Sequence, residues 1–141
     1  MLRIIFALGL MFVSKVSATD RFVDPNISQG NGTTLFTTIG SAVAAAVNGD
    51  RVFVTPATYS ESELIINKSL QIIPATEGST INFNANIVVS AFSGMDLQII
   101  GFNLGNYIIS SNNSVSMNNR AQIKIIDFDA RRITFNHDGY K

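Results

Sequence analysis

The tetrad Leu70-Gln71-Ile72-Ile73 recurs as Leu97-Gln98-Ile99-Ile100 and again as Ile123-Lys124-Ile125-Ile126, displaced by 27 and then 26 residues. A second short run shares the period: Ile81-Asn82-Phe83-Asn84, Tyr107-Ile108-Ile109-Ser110 and Ile133-Thr134-Phe135-Asn136 are each 26 apart. A third, Ile87-Val88-Val89, returns at Val115-Ser116-Met117 with a spacing of 28. Each run is too short to bury its apolar face alone, so three strands in a period of about 26 residues mark a coil that stacks on copies of itself. An antiparallel sandwich also has short strands, but its sequence would not repeat column by column. The expected fold is all-β: a parallel β-helix with three strands per coil.

Stacked coils bring equivalent residues roughly 4.8 Å apart, so like side chains form ladders along the axis. Strand alternation turns Leu70, Leu97 and Ile123 inward with Ile72, Ile99 and Ile125, and leaves Gln71, Gln98 and Lys124 outward. In the second strand Ile81, Tyr107 and Ile133 are expected to share one column and Phe83, Ile109 and Phe135 the next. Asn84, Ser110 and Asn136 follow at the bend, where an amide or hydroxyl ladder satisfies turn backbone. No outward column carries an aromatic stripe in this register.

Ahead of the repeats, Arg21-Phe22-Val23 reads as a short strand and the stretch from Asp24-Pro25-Asn26 to Gly30-Asn31-Gly32 as a loop. The glycine pair lacks the Lys-Ser/Thr that a phosphate loop needs. Between Phe36 and Val47 the period becomes helical, with Phe36, Ile39, Val43 and Val47 on one stripe, Thr37 or Thr38 as N-cap and Gly49 as the stop. Alanines 42, 44, 45 and 46 give this helix, 36–47, a flat face that suits a lid.

The first residues carry a secretory pattern: basic Arg3, ten largely apolar residues from Ile4 to Val13, and Val16-Ser17-Ala18 with small residues where a signal peptidase reads. The apolar run is half of the roughly 20 residues that a membrane span needs. Cleavage after Ala18 leaves 8 basic against 10 acidic residues, with no basic patch for nucleic acid. Cysteine is absent, so an exported chain must be held by packing and backbone hydrogen bonds rather than disulfides. Fourteen asparagines and ten phenylalanines suit strands and tight turns. The domain reading is therefore a signal peptide 1–18, an N-terminal cap 19–50 and β-helix coils 51–141. The last coil stops after its second strand with no cap of its own, as in a fragment of a longer solenoid.

The stretch from Phe22-Val23 through Thr38-Ile39, Ala42 to Ala46, Gly49-Asp50-Arg51-Val52-Phe53-Val54-Thr55-Pro56-Ala57-Thr58-Tyr59-Ser60-Glu61 and Lys68-Ser69-Leu70 resembles the N-terminal cap and first coil of pectate-lyase-like right-handed β-helix proteins. Ala57 stands where that pattern often has glycine. The resemblance covers residues 22–74 most strongly. It implies a right-handed coil and an extracellular polysaccharide as partner, with a lyase or glycoside hydrolase as the activity if the protein is an enzyme. Members that cleave uronate polymers use carboxylates to hold calcium and a basic residue to take the proton.

His137 is the single histidine, so zinc with nitrogen and sulfur ligands is unexpected, and no nucleophile motif accompanies it. The densest charged cluster is Lys124, Asp127, Asp129 and Arg131 with Arg132, which are the candidate ligand-binding residues. Two carboxylates fall short of the six or more oxygens that calcium takes, so a calcium site would need ligands from outside this chain. No catalytic residue is assigned and no cofactor is evident. Four Asn-x-Ser/Thr sequons begin at Asn26, Asn31, Asn67 and Asn112. Two functions fit: an exported polysaccharide-binding or polysaccharide-degrading protein, and a non-catalytic surface solenoid of the adhesin type.

Overall fold

The computed structural model describes residues 17–112 and 121–135. Among them the chain forms β1 (Asp20–Val23), β2 (Leu35–Phe36), α1 (Ile39–Ala45), β3 (Arg51–Val54), β4 (Thr58–Tyr59), β5 (Leu64–Ile66) and β6 (Gln71–Pro74). It continues with β7 (Ile81–Phe83), β8 (Ile87–Val89), β9 (Asp96–Ile100), β10 (Phe102–Asn103), β11 (Ile108–Ser111), β12 (Gln122–Ile126) and β13 (Arg132–Thr134). The strands make a six-stranded sheet in the order β12-β9-β6-β3-β1-β2, a three-stranded sheet β10-β7-β4 and a four-stranded sheet β13-β11-β8-β5. All the pairings are parallel. From β3 onward the chain visits the sheets in rotation and lies beside the strand of the preceding turn. The product is a parallel β-solenoid of about three turns.

The interior is built by alternation. In the six-stranded sheet Val52 faces Ile72, Ile72 faces Ile99 and Ile99 faces Ile125, as the tetrad repeat requires. Leu70, Ile72, Leu97 and Ile99 are buried, and each contributes about 1.5–3 kcal/mol from apolar surface removed from water. Inside the three-stranded sheet the rings of Phe83, Phe102 and Phe128 follow one another at 6.2 and 6.4 Å.

The second column departs from the expected register. Ile81 faces Phe102 in the three-stranded sheet, whereas Ile109 faces Ile87 and Ile133 in the four-stranded one. Ile81 and Tyr107 therefore share no column: Tyr107 is exposed, and Ile133 falls instead in the inward column of Ile109, half exposed on the outermost described strand. The physical reason is unequal loops: 27 residues separate Ile72 from its partner Ile99, but only 22 separate Ile87 from Ile109. Val115–Met117, Asn136 and His137 lie outside the described residues, as does most of the signal segment.

The helix is also shorter than 36–47. Phe36 belongs to β2, where Leu35 and Phe36 pair with Phe22 and Val23. Thr38 is the N-cap, its side chain accepting from the Ser41 amide. The Glu61 carboxylate accepts from the amides of Ile39 and Gly40 at 2.7 and 2.8 Å, placing an anion at the helix start. At the other end the Lys68 ammonium donates to the carbonyls of Val43 and Ala44 at 2.9 and 2.8 Å, and Ala46 turns to extended backbone. Ile39, Ala42 and Val43 are buried, and α1 packs on β1, β2, β3 and β5. Val47, expected on the same stripe, is exposed because the helix has ended.

Asp50 joins these parts. It is 0% exposed and accepts hydrogen bonds from the amides of Thr19 and Val47 and from Arg21 Nε, with Arg21 Nη2 at 2.8 Å. Burial pushes its carboxyl up, but the two amides and the Arg21 guanidinium outweigh burial and hold it below the ordinary value. Arg21 Nη1 in turn donates to the Thr33 carbonyl. Side chains also link successive turns at the bends: Asn48 Oδ1 accepts from the Ser69 amide, Ser69 Oγ from the Asp96 amide and Asn86 Oδ1 from the Ile108 amide. The bends do use amide and hydroxyl links, at Asn84, which donates to Ser60 Oγ at 3.3 Å as the sequence suggests, and at these further positions. Among the described residues no helix is long and apolar enough to cross a membrane.

Candidate functional site

The outer face of the six-stranded sheet carries two parallel columns. One is apolar. Leu35 faces Phe22, Phe22 faces Phe53 and Phe53 faces Ile73, and the line resumes with Ile100 opposite Ile126. The same register carried past Ile72 and Ile99 sets Ile73 beside Ile100, so each of the six strands contributes one residue. These side chains are outward because Val23, Val52, Val54, Ile72 and Ile99 take the inward positions between them. Phe22 is 47% and Ile126 44% exposed, and the Phe22 and Phe53 rings stack at 5.4 Å with 16° between their planes.

The second column, two residues away on each strand, is polar: Asp20, Arg51, Gln71, Gln98 and Lys124 face one another in turn. Asp20 and Arg51 form a two-pronged ion pair, with Arg51 Nε and Nη2 at 2.7 and 2.9 Å from the carboxylate oxygens. The Arg51 guanidinium also lies 5.5 Å from the Phe53 ring centre, which fixes the aromatic edge of the face.

Beside the apolar column runs an open groove of about 440 Å³ whose lining includes Phe53, Ile73, Pro74 and Ile100 together with the carboxylates Glu77 and Asp127. Asp127 continues the bend position of Gly101, and both hold positive φ, 50° and 72°. Glycine is obligatory at 101, where a Cβ would come within 2.8 Å of the Ser79 carbonyl oxygen. Aspartate tolerates that backbone region better than most side chains, which lets an acidic group occupy the groove edge.

The four residues singled out from sequence are distributed. Lys124 ends the polar column, and Asp127 lines the groove with Glu77. Asp129 instead bridges to Asn103 at the edge of the three-stranded sheet, and Arg131 lines a separate cavity with Arg132. Among the described residues no group of three or more His, Cys, Asp or Glu is placed to hold a metal ion.

The outward aromatic pair corrects the expectation that no outward column bears aromatic residues. Its signal was hidden because Phe22 precedes the repeats and reaches Phe53 through a pairing that the period does not contain. Ile73, Ile100 and Ile126 were visible as the last residue of each tetrad, but only the pairings of β1 with β2 and β3, and of β3 with β6, join them to Leu35 and the phenylalanines. No protein-family model, curated protein or solved structure matches the chain.

Proposed function

We propose that this chain is an exported polysaccharide-binding protein: a right-handed β-helix with three strands per coil, capped by α1, of the pectate-lyase-like kind. Its outer six-stranded face is the binding surface. The observation that carries the reading is the apolar column beside a column of amide and charged side chains. An extended saccharide running along the axis would meet one apolar and one polar group per strand, at the roughly 4.8 Å step of the stack. The C–H faces of sugar rings fit Phe22, Phe53 and the isoleucines, and the hydroxyls fit Gln71 and Gln98. Phe22 and Ile126 are exposed, with part-buried Phe53, Ile73 and Ile100 along the column between them, and a contiguous apolar surface of this kind marks an interaction site. The Arg3 to Ala18 pattern supports secretion or display at the cell surface, and the absence of a basic patch argues for saccharide rather than nucleic acid.

The test is co-sedimentation of the full chain with a panel of insoluble neutral and acidic polysaccharides, beside Phe53→Ala. Phe53 points outward, so the variant should keep its far-UV circular dichroism while affinity falls about tenfold, the loss expected of an aromatic anchor. Failure to bind any polymer, or equal binding by the variant, would favour a stalk whose repeats only build length. Mass spectrometry of the secreted product should find Thr19 as its first residue.

A further inference from the structure

Four arginines lie among the described residues, and they divide into two kinds. Arg21 and Arg51 are each paired with an aspartate, Asp50 and Asp20. Arg131 and Arg132 have no such partner among the described residues, and both line one cavity of about 370 Å³ with Asn86, Asn106 and Ile108. Among the described residues no carboxylate contributes to its wall. The backbone holds the place firmly: the Arg131 amide donates to the Tyr107 carbonyl, and Arg132 lies opposite Ile108 in the pairing of β11 with β13. Asn86 spends its carbonyl oxygen on the Ile108 amide at 3.1 Å, which leaves its NH₂ group as a donor. Two exposed arginines and two asparagine side chains line one cavity to which no described carboxylate contributes, a lining rich in hydrogen-bond donors and positive charge.

We infer that this cavity binds a doubly charged tetrahedral oxyanion, that is, a phosphate group, either free or as the monoester of a small sugar. Two formal positive charges match a phosphate dianion better than the single charge of a carboxylate or sulfate ester. Each planar guanidinium fork can donate two N–H groups to two phosphate oxygens. The site lies on the four-stranded side of the solenoid, away from the six-stranded face, and stands independently of the polysaccharide reading.

Isothermal titration of the full chain at low salt with inorganic phosphate, glucose 6-phosphate and acetate tests it. Both phosphates should bind and acetate should be weaker by about tenfold, as one charge fewer implies. Affinity for glucose 6-phosphate should rise as pH passes the second ionisation of a phosphate monoester at about 6. Arg131→Gln and Arg132→Gln should each weaken phosphate about tenfold, and the pair should abolish it, because each removes a charge-assisted fork. Arg131→Lys should recover part of the affinity. Tighter binding of glucose 6-phosphate than of free phosphate would identify a phosphosugar as the ligand, and the reverse would identify the free ion. Unchanged phosphate binding in a folded double variant, or acetate binding as tightly as phosphate, overturns the inference. Phe53→Ala should leave all these values unaltered, which separates this site from the saccharide face.

Discussion

Ile99 and Ile125 occupy the same inward position in adjacent strands of one sheet, yet Ile99 is fully buried and Ile125 only partly. Ile109 and Ile133 repeat the contrast in the four-stranded sheet, at 0% and 50% exposed. Residue type, register and strand direction are the same within each pair. What differs is the neighbour along the axis: β9 and β11 have a strand on both sides, whereas β12 and β13 are the outermost described strands of their sheets. In a stack, an inward side chain is buried by the turns above and below it as much as by its own. Toward the other end of the six-stranded sheet α1 packs on β1, β2, β3 and β5, and its own Ile39, Ala42 and Val43 are buried in that contact.

The sharpest way to break this comparison is to charge its interior. Ile99→Asp should prevent folding, since an unpaired carboxylate would sit among buried side chains at a cost of about 4 kcal/mol or more. A native circular dichroism spectrum and a cooperative thermal transition in that variant would mean that the inward column is wrong. Next in size is the tie between the helix and the first turns. Asp50→Asn leaves the Arg21 guanidinium buried without its counter-charge and should cost about 3–5 kcal/mol in urea unfolding. Asp50 has a lowered value in the folded state, so its contribution is complete above the ordinary 3.8 and is lost as pH falls below it. Part of the acid destabilisation should therefore disappear in Asp50→Asn.

The two ends can then be compared directly. Ile99→Ala should cost about 2–5 kcal/mol as a core truncation, and Ile125→Ala roughly half as much or less, because less apolar area is buried there. Equal costs would show that the last turn is covered as well as the middle ones. Lys68→Met removes the cation from the α1 carbonyls and should cost about 1 kcal/mol. Gln98→Asp, one residue from Ile99 but outward, should change stability by no more than about 0.5 kcal/mol.

How much of this was legible in sequence depends on which sheet is considered. The six-stranded sheet was readable from the tetrads because β6, β9 and β12 are separated by nearly equal stretches of chain. Thr38, one of two N-cap candidates, was also readable, whereas the stop was not: the helix ends at Ala46, and Gly49 with its φ of 93° belongs to the turn before β3. The other two sheets were not. Loops of different length enter between them, so a single period carried from Ile81 to Tyr107 crosses from one sheet to another. The candidate face was hidden for a related reason, because Phe22 joins it only through the pairing of β1 with β3.

Sequence alone determined that short β runs recur with inward and outward faces, since alternation and self-similarity are local properties of the chain. Tertiary structure alone decided which runs are neighbours, that Phe22 stacks on Phe53, and that Glu77 and Asp127 line one groove while Arg131 and Arg132 line another. Those outcomes depend on loop lengths and on strand pairs up to 31 residues apart, such as Asp20 with Arg51, and no local pattern records them.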